Sequence, residues 1–187
     1  MGGRAGGGAG GFGSRSLSAG ATEQGYSREM AAGVLSAESG IKGNDYETLY
    51  AFNKDGKVVY QAKGDSNSVY YDRFEVENRI VTHNHPKGSA FSAQDITGMV
   101  RNNMKEMRIT SKEYTYSIKR PQRGWRKSVE AVAKKAAEMH ISVQKSYQSQ
   151  KTGNASSDRK LFQKLTTDAS RQLAKDFGWD FTVKKNR

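Results

Sequence analysis

The sequence predicts an α+β protein: a mixed sheet flanked by helices, followed by a basic, helical C-terminal extension. Short β-rich runs around a turn fill the region from Tyr46 to Lys63, and apolar residues recur at helical spacing after Ser92. From Trp125 onward, lysines and arginines surround helically spaced apolar positions. Strands followed by helices are the pattern of an α+β layout.

The opening stretch MGGRAGGGAGGFGSRSLSAGATEQG is glycine-rich and holds too few apolar residues to offset the entropy of ordering it. Residues 1–25 are therefore expected to be a flexible tail, with Arg4 and Arg15 solvated. A core is expected over residues 26–120. In it, YETLYAF from Tyr46 and KVVYQAK from Lys57 flank the turn Asn53-Lys54-Asp55-Gly56, and Asp-Gly between β-rich runs signals a hairpin.

RIVTHNH, from Arg79, reads as a buried strand that ends in a polar cluster, which puts its histidines at or just past the strand's C-terminal end. Ser92-Ala93-Gln94-Asp95 then opens a helix expected to run to about Met104, with Ile96, Met99, Val100 and Met104 on one face. Two more strands are expected at Glu106–Thr110 and Glu113–Lys119, and Pro121 and Gly124 break the run.

The extension, 121–187, reads as two amphipathic helices, 125–147 and 158–177, joined by the polar SQKTGNASS and closed by GWDFTVKKNR. The first should bury Val129, Val132, Ala136, Met139 and Val143, and the second Leu161, Leu165, Ala169 and Leu173. Arg126, Lys127, Lys134, Lys135, Lys160, Lys164 and Arg171 fall on the outer faces. With 31 Lys+Arg against 19 Asp+Glu, the net charge is +12. Those residues are the candidate contacts for nonspecific nucleic-acid binding, and no fingerprint of a sequence-specific reader accompanies them.

A run of ~18 apolar residues, as a membrane span needs, is missing, and the start lacks a signal peptide's apolar stretch. No membrane partner and a cytoplasmic location are expected. The chain has no cysteine, so any metal must be held by His, Asp, Glu and water.

Two of the three histidines fall in THNHPKGSAFSAQD, Thr82 to Asp95. In a strand, alternate residues share a face, so His83 and His85 can meet one cation, and Asp95 at a helix start can turn a carboxylate toward the same point. Catalytic zinc takes three protein ligands and keeps one open position. Ser92-x-x-Asp95 is also a helix capping box, and the histidines could be polar strand-end residues. Two histidines, a proline, a serine and an aspartate together favour the metal site.

His83-Asn84-His85-Pro86 followed by Ser92-Ala93-Gln94-Asp95 resembles the JAB/MPN-type (JAMM) zinc metallopeptidases, and HNHPKG is especially similar to RadC-like chains. The resemblance covers residues from about 41 to 120. Six residues, PKGSAF, separate His85 from Ser92, where the family usually has seven. It implies a cytidine-deaminase-like mixed sheet, Zn2+ on His83, His85 and Asp95, and an oxyanion role for Ser92. The general base would be Glu47, whose E-x8-G-K setting resembles that of RadC-like proteins, with Glu38 as the alternative. The implied reaction is hydrolysis of a peptide or isopeptide bond in a protein or peptide substrate, often with a ubiquitin-like protein on one side. A fainter resemblance to phage-associated JAB domains implies a virion location and a noncatalytic, nucleic-acid-binding role as the alternative. A metal-dependent nuclease ranks last, because His83-Asn84-His85 runs consecutively instead of being spread over a hairpin and helix.

Overall fold

In the computed structural model, which describes residues 25–186, the hairpin forms where its turn residues place it. The expected tail, with Arg4 and Arg15, lies outside the described residues except for Gly25. Strand β1 (Thr48–Phe52) pairs antiparallel with β2 (Val58–Lys63). The Asn53 side chain accepts from the amides of Asp55 and Lys57 at 3.0 and 2.9 Å, and Gly56 adopts φ +79°. Helix α1 (Arg28–Ile41) lies against this turn so closely that a Cβ on its Gly33 would meet the Gly56 carbonyl oxygen at 1.9 Å. Close approach of this kind requires glycine.

The chain continues through the single turn α2 (Arg73–Val76), β3 (Ile80–Asn84), α3 (Ala93–Arg101), β4 (Glu106–Thr110) and β5 (Tyr114–Lys119). Two long helices follow, α4 (Val129–Gln150) and α5 (Ala155–Phe177), and the last strand is β6 (Asp180–Lys185). The result is an α+β fold with one six-stranded mixed sheet in the order β2-β1-β3-β4-β5-β6. Among the described strands only β3 and β4 run parallel, and α3 makes the crossover that such a pair needs.

Strand alternation divides the core. Phe52 and Ile80 pack with Met30 and Val34 of α1. Leu49, Val81, Met107, Ile109 and Ile118 point the other way and pack with Ile96 and Met99 of α3, Val132 and Ala136 of α4, and Leu173 of α5. Each of the larger of these side chains, fully withdrawn from water, contributes about 1.5–3 kcal/mol.

Three sequence expectations are corrected. Helix α3 ends at Arg101, short of Met104, because Asn103 takes a left-handed conformation at φ +50°, which asparagine tolerates. The closing GWDFTVKK is not a bare tail: its β6 pairs with β5 from Asp180↔Lys119 to Lys185↔Tyr114. On α5, Leu173 is buried as expected, but Leu161, Leu165 and Ala169 are half-buried, and the covered face carries Gln163, Thr166 and Ser170. That face lies on a loop whose backbone groups need polar partners. The segment from 121 onward thus shares the main core, with Trp125 and Trp179 in edge-on contact at 4.8 Å. Among the described residues no helix is long and apolar enough to cross a membrane.

Candidate metal centre

Register brings the central residues together. Leu49 of β1 faces His83 of β3, and because the strands are antiparallel, Glu47 falls opposite His85. The carboxylate of Glu47 comes within 3.9 Å of His85 Nε2, and the Nε2 atoms of His83 and His85 stand 3.0 Å apart. Both histidines and Glu47 are buried.

Asp95 arrives from the first turn of α3. Its amide donates to Ser92 Oγ at 3.1 Å, while the Ser92 amide donates to Asp95 Oδ2 at 2.7 Å, forming the capping box. That box aims the carboxylate, placing Oδ1 at 3.2 Å from His83 Nε2 and Oδ2 at 3.5 Å from His85 Nε2. Cap and site are the same set of bonds. Ser92 Oγ accepts in this arrangement, so its own proton is not consumed by it.

The donor atoms of Glu47, His83 and His85 lie within 4.8 Å of one another, a group that could hold a metal ion. By distance Asp95 is closer to both histidines than Glu47 is. The two imidazole nitrogens stand 3.0 Å apart, close to the ~3.3 Å ligand–ligand edge of a tetrahedral ion with bonds of ~2.0–2.1 Å, and the Asp95 carboxylate reaches His83 through Oδ1 and His85 through Oδ2. Nδ1 of His85 lies 3.1 Å from the Ser89 carbonyl, so a proton there turns the Nε2 lone pair toward the cluster.

Two carboxylates in one site are tuned apart. Burial pushes Glu47 up to about 7, with the charges of Asp95 and Asp65 adding and His83 opposing. Burial would also raise Asp95, but the charge and hydrogen bond of His83, with His85 and Ser92, hold it well below the usual carboxylate range. For His83, burial lowers the pKa but Asp95 and Glu47 outweigh it, so the net direction is upward. Burial takes His85 down to about 4, Asp95 opposing and His83 assisting.

Glu38 lies elsewhere. Thr82 points to the opposite face of the sheet from His83, and Glu38 accepts its hydroxyl at 3.1 Å while binding the Arg108 guanidinium at 2.5 and 3.1 Å. Its carboxylate is committed to that buried ion pair.

The loop from Pro86 to Phe91 is held from α5, which sequence reasoning missed. Gln163 Nε2 donates to the Gly88 carbonyl at 3.1 Å, and the Ala90 amide donates to Thr166 Oγ1 at 3.1 Å. Polar residues at helical spacing where apolar ones were expected were the available signal.

The seven basic candidates are all exposed, but they are not equivalent. Lys135 pairs with Asp176 at 3.3 Å, while Lys164 and Arg171 share Asp168 at 2.7 and 3.0 Å. Arg126, Lys127, Lys134 and Lys160 have no ion pair among the described residues. No family model, curated protein or solved structure matches this chain.

Proposed function

We propose that the chain is a zinc-dependent hydrolase of the JAMM type, with a JAB/MPN-like core, that cleaves a peptide or isopeptide bond. The observation that carries this is the convergence of two imidazole nitrogens, 3.0 Å apart, with the Asp95 carboxylate within 3.2 and 3.5 Å of them and the Glu47 carboxylate 3.9 Å from His85. In this reading those three residues hold Zn2+. Nitrogen and carboxylate donors without cysteine suit zinc, whereas magnesium and calcium take oxygen donors.

When bound, zinc supplies a Lewis acid that polarises the scissile carbonyl and brings the pKa of its water to about 7. Glu47, whose carboxyl burial raises to about 7 in the metal-free chain, takes the proton of the attacking water and delivers it to the leaving amine. Ser92, half-buried beside Asp95, donates a hydrogen bond from its hydroxyl to the oxygen of the scissile carbonyl as negative charge gathers there and keeps its proton. Asp95 stays ionised throughout, because the hydrogen bond from the Ser92 amide and the cation that it would help to hold stabilise the anion. A ubiquitin-like protein on one side of the bond is the substrate class that the resemblance implies.

The test is hydrolysis of a peptide branched through a lysine isopeptide bond, by chelator-stripped protein before and after zinc is restored. Cleavage that disappears with the chelator and returns with zinc is expected. A zinc-loaded protein inert toward both branched and linear peptides would overturn the assignment.

A second reading, a noncatalytic JAB-like phage or virion component that holds nucleic acid, is favoured by the four exposed cations that have no acidic partner among the described residues. Four phosphate contacts predict an affinity for duplex DNA that falls about 10²-fold between ~50 and ~200 mM salt. Metal removal should leave this binding unchanged, which a filter or anisotropy titration with and without chelator would check. The hydrolase reading goes with the cytoplasm, the second with the virion.

A further inference from the structure

We propose that Asn84, the residue between the two histidines, is the positioning residue for Glu47. Its side chain points away from the rings of its neighbours and is fully buried. The Thr48 amide donates to Asn84 Oδ1 at 2.7 Å, and Asn84 Nδ2 donates to the Tyr46 carbonyl at 2.9 Å and the Asn44 carbonyl at 3.4 Å. One carboxamide therefore grips the chain on both sides of Glu47.

The opposite side of the same segment is tied to the end of the hairpin. The Glu47 amide donates to the Asp65 carbonyl at 2.7 Å, and its carbonyl accepts from the Gly64 amide at 2.8 Å. Strand β1 begins only at Thr48, so Glu47 stands just outside the regular ladder, where an end would fray. With Asn84 on one side and Gly64 and Asp65 on the other, the backbone from 46 to 48 is fixed and only the Glu47 side-chain torsions remain.

Asparagine is suited to this place because one short side chain supplies an acceptor and two donors. Aspartate would lose the donors, and an aliphatic residue would leave the buried Thr48 amide without a partner. The inference rests on the proposed role of Glu47 as base. A base must stand at hydrogen-bonding distance from the proton it takes, and a ~1 Å misplacement can cost ~10²-fold in rate.

The test uses the full chain carrying Asn84→Ala, with Asn84→Ser, which keeps one donor and one acceptor, in its place should the alanine variant not fold. Three readouts are taken: amide exchange, Zn2+ affinity by chelator competition, and the visible absorption of the Co2+-loaded protein, with Glu47→Gln as reference. Exchange at Thr48 and Glu47 should speed by ~10-fold or more while the interior amides of β3 and β4 stay protected. Zinc affinity should hold within ~3-fold, because none of the three nearest donors is touched. The cobalt bands should move in the same direction as in Glu47→Gln.

Unchanged exchange at Thr48 would overturn the proposal. So would a loss of ~10–100-fold in zinc affinity, the size expected when support of a metal ligand is removed, since Asn84 would then serve the histidine strand. Wild type that takes up neither Zn2+ nor Co2+ would sink the hydrolase reading, and with it the base for which Asn84 is proposed to act; the exchange rates would separately report whether the carboxamide holds the segment.

Discussion

Glutamine in place of Glu47 should leave zinc in the protein and remove turnover. The three closest donors, His83, His85 and Asp95, are untouched, so metal content by elemental analysis should match wild type. Loss of a positioned general base costs ~10²–10⁴-fold in rate. The same substitution should stabilise the metal-free chain at alkaline pH. Burial raises the Glu47 carboxyl from 4.5 to about 7, so between those values the folded chain keeps a proton that the unfolded chain has released. Stability from that group is fully present below pH 4.5 and lost as pH rises through about 7. A neutral glutamine escapes the loss, so at pH ~8 the variant should be more stable by on the order of 1–3 kcal/mol, with the gap closing near pH ~4. Denaturant unfolding in chelator at the two pH values checks this. Equal stability at both, or full turnover by the variant, would remove Glu47 from the role of base.

Replacing His83 and His85 together by alanine should abolish metal binding. Wild type is expected to carry about one zinc per chain and the variant almost none, because in the proposed site the pair would supply both imidazole ligands. Zinc takes up neutral imidazole, so protons compete with it. Asp95 and Glu47 hold His83 above its ordinary value despite burial, so that competition begins at a higher pH than for a free histidine. Zinc affinity of the wild type should therefore weaken steadily from neutral pH downward, with proton release on binding measurable by calorimetry in two buffers. Wild type without metal at any pH would return Ser92 and Asp95 to a purely capping role.

The candidate site was legible where chemistry and chain neighbourhood coincide. Strand alternation sets His83 and His85 on one face, and a helix start within the same stretch brings Asp95, all from local geometry. Glu47 was legible through resemblance alone; the pairing of Leu49 with His83, a long-range register, is what places it. The fold followed the same division. The hairpin and the central strands declared themselves through alternation and a strong turn, whereas β6, with Lys184 and Lys185 on an exposed edge, carries the charges that edge strands use against unwanted pairing. The buried face of α5 was hidden because Gln163 and Thr166 bond to backbone and leave no apolar periodicity.

That clamp bears on how far the unit can be divided. A chain cut after Arg120 would keep every residue of the signature, from Glu47 to Asp95, yet strip the Gly88 carbonyl and Ala90 amide of their partners. It would also bare β5, whose Tyr116 and Ile118 belong to the core, as a sticky margin open to other chains. The signature is therefore not a cassette that can be moved to another scaffold by copying one loop and one strand. Its smallest transplantable form runs through Asn186, whose side chain closes the far end by donating to the Ser111 carbonyl at 2.7 Å.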